Sequence, residues 1–150
     1  WLIVLLLYGA SVVILGLRAF RVFSGHEQKK DLQKLLQRRI RKAEEASSKG
    51  DFRQAGVEMV NIFAEILGEI SGQGGSHKEV EKMLELGPPS IRRQHGGEIM
   101  TQLQEFQTLA FAPEELVKAA TAKMDLSKKV REGKNLLKAV IDLSEPVETA

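Results

Sequence analysis

Lys49-Gly50-Asp51-Phe52-Arg53-Gln54-Ala55 is the stretch that decides the fold. Glycine can take the left-handed C′ position that ends a helix, and aspartate can cap the start of the next one. Before the junction, residues 26–49 set Leu32, Leu35, Leu36, Ile40, Ala43 and Ala46 in one apolar stripe on a charged rod. After it, residues 52–70 set Phe52, Ala55, Met59, Phe63, Ile66, Leu67 and Ile70 in a second stripe. Two amphipathic helices joined by Gly50-Asp51 predict a helical hairpin. Gly50, Asp51, Phe52 and Ala55 shape its turn, and Phe52 is expected to anchor in the core.

Working outward toward the C-terminus, residues 71–76 (SGQGGS) read as a loop. Ser76 and Glu79 have capping-box spacing ahead of Val80, Met83 and Leu84. Gly87-Pro88-Pro89 ends that short helix. Residues 90–110 predict a further helix, weakened at Gly96-Gly97, with Ile99, Leu103, Phe106 and Leu109 inward. Ala112-Pro113-Glu114-Glu115 opens the next, since Pro suits the first position and acids suit the positive end of the dipole. Residues 113–143 then predict one long helix with Leu116, Ala120, Met124, Val130, Leu137, Val140 and Ile141 inward. Pro146 stops it, leaving residues 146–150 as a tail. No segment alternates with the period of a strand, so the expected class is all-α.

Toward the N-terminus the character changes. Trp1 to Leu17 reads WLIVLLLYGASVVILGL, with six Leu, two Ile and three Val and no charge. On an insertion scale those eleven residues contribute roughly −3 to −6 kcal/mol. Seventeen residues of helix span roughly 25 Å, close to a bilayer core. Arg18 and Arg21 can snorkel, which extends the expected membrane helix over residues 1–23. Trp1 would sit at the opposite interface. A buried helix of a soluble protein is seldom apolar on every face, and a signal peptide carries its basic flank before the apolar run rather than after it. The chain opens on Trp1, so it is expected to be part of a longer protein.

Residues 18–49 hold ten Lys/Arg and four Asp/Glu, a local net charge of +6. The positive-inside rule places this side in the cytoplasm. Residues 50–150 carry twelve basic and sixteen acidic groups, net −4. The expected organisation is a membrane helix over 1–23, a basic juxtamembrane helix over 24–49, a cytoplasmic helical domain over 50–145, and the tail. The basic segment has three readings. The plainest is a topology determinant on a solvated helix face. Attraction to anionic lipid headgroups comes second, worth about 1 kcal/mol per residue near the surface. Nucleic-acid binding comes last, for no aromatic residues interleave the cations. Gly9, Ser11 and Gly16, with Ala10, make a patch of small residues where another membrane helix could approach.

Little in the chain suggests chemistry. With no Cys there is no disulfide framework, thiolate metal site or cysteine nucleophile. His26, His77 and His95 lie in separate segments without a ligand partner at helical spacing. Gly72-Gln73-Gly74-Gly75 lacks the Lys-Ser/Thr ending of a phosphate loop, and no Ser stands in a nucleophile elbow. The expectation is a non-enzyme with no cofactor and no metal.

Gly50-Asp51-Phe52-Arg53-Gln54-Ala55 resembles the junction of a tetratricopeptide unit. A 34-residue repeat would return a small residue at position 84, where Leu84 stands, so this is one hairpin and not an array. A broader resemblance rests on the order of motifs. A lone membrane helix, a basic neck and the Gly-Asp-Phe-x-x-Ala hairpin precede Leu67-Gly68, a short capped helix and Leu109-Ala110-Phe111-Ala112-Pro113. This resembles the C-terminal part of the BatD family of aerotolerance-operon membrane proteins. Where relatives often carry Arg before that Phe and a Cys upstream, this chain has Ala110 and no Cys.

The resemblance implies a single-pass protein of the bacterial inner membrane, with periplasmic β-sandwich domains upstream. It also implies partners: BatA- and BatB-like von Willebrand factor A domain proteins and a MoxR-type AAA+ ATPase, in a hetero-oligomeric complex. A generic membrane-anchored adaptor that binds client proteins in a helical groove is the alternative. For a partner corner, Phe111, Ala112 and Pro113 are the candidates, with Phe111 itself expected to pack inward.

Overall fold

The computed structural model describes residues 2–72 and 80–144; the side chains of residues 2–12, 15–24 and 26 are outside the described set. These residues form six helices: α1 (Leu2–Ser48), α2 (Phe52–Ser71), α3 (Val80–Leu86), α4 (Pro89–Phe111), α5 (Glu114–Thr121) and α6 (Leu126–Leu143). No strand occurs among the described residues. The all-α class holds.

The hairpin forms where the sequence places it. Gly50 has φ +71° and closes α1. The Asp51 carboxylate then accepts the Gln54 backbone N–H at 2.9 Å, satisfying one of the orphan donors at the start of α2. At its other end Gly72 takes the left-handed cap, φ +70°.

Helix α2 is the centre of the molecule and packs on α1, α3, α4 and α6. Its buried residues include Ala55, Met59, Val60, Ile62, Phe63, Ile66 and Leu67, which span more than one face. Leu32, Leu36, Ile40, Ala43 and Ala46 of α1 close one side of this core. From α4 come Ile99, Leu103, Phe106 and Leu109, and from α6 Val130, Leu137, Val140 and Ile141. The Phe63 and Phe106 rings meet at 6.2 Å between centroids, tilted by 40°. Full burial of each such aliphatic or aromatic side chain contributes about 1.5–3 kcal/mol.

Two glycines permit this packing. A Cβ on Gly56 would lie 2.8 Å from the Ala110 nitrogen and 2.8 Å from the Phe106 carbonyl oxygen, so α2 meets α4 backbone to backbone. On α6, a Cβ at Gly133 would lie 2.5 Å from the Met59 methyl.

Helix α1 runs unbroken through Ser24-Gly25, so apolar run and core stripe share one helix of 47 residues, about 70 Å long. Ion pairs fasten its lower half to the bundle: Lys29 to Asp142 at 3.3 Å, Arg39 to Glu65 at 3.1 Å and Lys134 to Glu44 at 2.7 Å. Each is partly exposed and contributes at most about 1 kcal/mol.

Gly96-Gly97 does not interrupt α4, which runs unbroken through both. Two expectations are corrected. The long helix over 113–143 is two helices. The Asp125 carboxylate caps α6 by accepting the Lys128 N–H at 3.1 Å, and residues 122–125 turn the chain. The break shifts the phase of α5, so Val117 is its buried residue while Leu116 is 61% exposed and Ala120 is exposed. The capping box at Ser76-Glu79 and the tail over 146–150 lie outside the described residues.

Candidate functional site

The two motifs singled out in the sequence meet at one end of the bundle. The Arg53 guanidinium, on the first turn of α2, donates a 3.1 Å hydrogen bond to the carbonyl oxygen of Ala112. The hairpin turn (Gly50, Asp51, Phe52) and the α4–α5 corner (Phe111, Ala112, Pro113) therefore share a surface. Sequence reasoning treated them as separate features; no local pattern links residues 59 positions apart.

The residues of this end play different parts. Ala55 is fully buried, and Phe52 is half-buried against the core. Phe111 is 59% exposed, which overturns its expected inward packing. Helix α4 ends at Phe111, and Pro113 starts α5 from an extended conformation at Ala112. That reversal turns Phe111 away from the α2–α4 seam, where Leu109 and Ala110 are buried instead. Leu116 lies one turn into α5 and is equally open. An exposed aromatic and an exposed leucine thus flank the Ala112-Pro113 turn. The stripe of one long helix would bury Leu116; the break at residues 122–125 frees its phase.

The rim of this corner is charged. Glu114 and Lys118 pair at 2.8 Å, and Glu45 and Lys49 pair at 2.8 Å near the end of α1. The hydrogen bond and charge of Lys118 hold the Glu114 carboxyl below its usual range, helped by Arg53, and Glu114 raises Lys118 in return. Lys49 lowers Glu45 in the same way.

At the other end of the bundle, Glu27, Gln28, Asp31, Leu32, Leu35 and Glu69 line an open groove of about 470 Å³. Among the described residues, no group of three or more His, Asp or Glu is placed to hold a metal ion. Further along α1, Val13 and Ile14 are 60% and 59% exposed. The side chains of Ser11, Arg18 and Arg21, the surroundings of Gly9 and Gly16, and the whole of Trp1 lie outside the described residues. Among the described residues, no helix is long and apolar enough to cross a membrane.

No protein-family model, no curated protein and no solved structure matches this chain.

Proposed function

We propose that this chain is a non-enzymatic, membrane-anchored module that carries a helical docking domain, acting as a subunit of a Bat-type inner-membrane complex. One observation carries the anchored part of the reading. A single unbroken helix joins the apolar run to the core stripe, and Val13 and Ile14 on it are about 60% exposed. In a run of seventeen uncharged residues, such exposure suits an apolar medium or a partner helix. Residues 1–23 would supply the span, with Trp1, Arg18 and Arg21 at its interfaces and Gly9, Ser11 and Gly16 as a packing seam.

The corner of Phe111, Pro113 and Leu116 lies at the hairpin end, at the opposite end of α1 from the apolar run. A partner in the cytoplasm would meet this end. The order of motifs favours von Willebrand factor A domain proteins and a MoxR-type ATPase as those partners. Coupling would pass through α1, whose continuity lets force on the bundle reach the membrane without a hinge.

The test is purification of the full-length protein from its own membranes in mild detergent, with mass spectrometry of what stays bound. Von Willebrand domain proteins or a MoxR-type ATPase, lost on Phe111→Ser plus Leu116→Ser, are the expected result. Scattered clients would favour the generic adaptor. Extraction of the protein by alkaline carbonate would sink the membrane anchor.

A further inference from the structure

The outward face of α1 carries cations that the bundle leaves unpaired. Between residues 30 and 42 stand Lys30, Lys34, Arg38, Arg39, Arg41 and Lys42 against the single acid Asp31. Arg39 points to the bundle and pairs with Glu65, as Lys29 just upstream pairs with Asp142. The other five are exposed, and none makes an ion pair or hydrogen bond among the described residues. Lys30, Lys34, Arg38 and Arg41 follow one another at steps of four, four and three, so they share one helix face. Glu44 pairs with Lys134 and Glu45 with Lys49, Glu27 and Asp31 stand one turn before Lys30 and Lys34, and no acid lies between residues 32 and 43.

An ordinary solvated helix face mixes signs and gains from pairs at this spacing. Here Lys34, Arg38 and Arg41 neighbour one another with no acid among them, and that repulsion costs α1 stability in isolation. From Lys30 to Arg41 the stripe is about 17 Å long and runs along the helix axis. On the membrane reading of residues 1–23, on which this choice of occupant rests, the stripe climbs away from the bilayer. Arg41 then stands about 27 Å beyond Phe23. Attraction to lipid headgroups dies within a Debye length, about 8 Å at physiological salt. Lipid can serve only the near end.

We propose that the face of Lys30, Lys34, Arg38 and Arg41 docks an acidic protein helix lying alongside α1, with carboxylates repeated every three to four residues. Such a partner matches the stripe in length, sign and spacing, and it removes the repulsion along α1. Complementary charge of this kind sets register and speeds encounter.

The full chain in neutral detergent, titrated calorimetrically with poly-L-glutamate, tests this whether or not α1 crosses a membrane. The triple variant Lys34→Glu, Arg38→Glu, Arg41→Glu is compared with Lys82→Glu, Arg92→Glu, Arg93→Glu, which changes net charge equally at exposed sites on α3 and α4. Circular dichroism establishes that both variants fold. The expected result is binding that weakens with added salt, lost about tenfold or more in the α1 variant and kept in the other. Equal loss in both variants, or no loss in either, overturns the proposal. So does a second outcome: the α1 variant still binds polyglutamate but loses the unaltered chain's preference for vesicles containing phosphatidylserine over pure phosphatidylcholine. Lipid would then be the occupant. Flotation of the unaltered chain with pure phosphatidylcholine vesicles reads the membrane anchor separately.

Discussion

Arg53, on the first turn of α2, holds the carbonyl of Ala112 at 3.1 Å and so ties the hairpin turn to the corner between α4 and α5. Ala112 is the point where α4 stops and the chain extends before Pro113. Its carbonyl belongs to a helix end, where intrahelical partners run out. Arg53→Ala removes the charged donor. The expected cost is small, about 0.5–1.5 kcal/mol, because both groups are near solvent. Amide exchange at residues 111–116 should accelerate while α2 and α6 keep their protection. Unchanged exchange there would mean that Pro113 alone sets the corner.

The exposure of Phe111 and Leu116 separates binding from folding. Phe111→Ser and Leu116→Ser should each move stability by less than about 1 kcal/mol, as surface changes do. Phe106→Ala, at a fully buried position on the same helix, should cost about 3–5 kcal/mol. Thermal melts of the three variants check this. A large loss in Phe111→Ser would show that the corner is structural rather than a docking surface.

Gly56 is the tightest contact between α2 and α4. Gly56→Ala places a methyl against the Ala110 nitrogen and the Phe106 carbonyl, which are backbone atoms and cannot rotate aside. The expected loss is about 1–3 kcal/mol or more. Gly97→Ala meets open space within a helix and should stabilise by about 0.5–1 kcal/mol. Opposite signs from one substitution type, read by denaturant melts, test the packing directly.

These packing relations also mark how far the sequence could be read. The stripes of α1 and α2 and the Gly50-Asp51 turn are visible because they are local: period, cap and left-handed glycine lie within a few residues of each other. The inward residues Ile99, Leu103, Phe106 and Leu109 of α4 are found for the same reason. The break between α5 and α6 hides because residues 122–125 hold no Gly or Pro, and Asp125 alone signals the cap, which accepts the Lys128 N–H. The meeting of Arg53 with Ala112, and the sorting of α1 cations into paired and unpaired faces, depend on which helices lie beside α1 and α2. No spacing along the chain encodes that.

Gln102 is the one polar side chain buried among the described residues, at 8% exposure, and its Oε1 has no hydrogen-bond partner. A buried acceptor left without a donor costs about 1–3 kcal/mol, and an apolar group of similar shape removes that cost. Gln102→Met should therefore raise the denaturation midpoint. A fall instead would mean that the amide is satisfied in solution by a water, and that its polarity is part of the fold.

The ion pairs at the hairpin end give a signed pH dependence. The Glu45 and Glu114 carboxyls are held below their ordinary range by Lys49 and Lys118. A lowered folded-state pKa contributes stability that is present above the unfolded carboxylate range and is lost as pH falls through the lowered value. The lysines are raised, so their contribution is present below the ordinary lysine range and is lost as pH climbs through the raised value. Both pairs are fully exposed, so the effect is small and fades with salt. Glu45→Gln together with Glu114→Gln should flatten the acid limb of the melting-temperature profile at low salt and leave the profile at high salt unchanged. An acid limb of unaltered slope would mean that these two pairs do not set it.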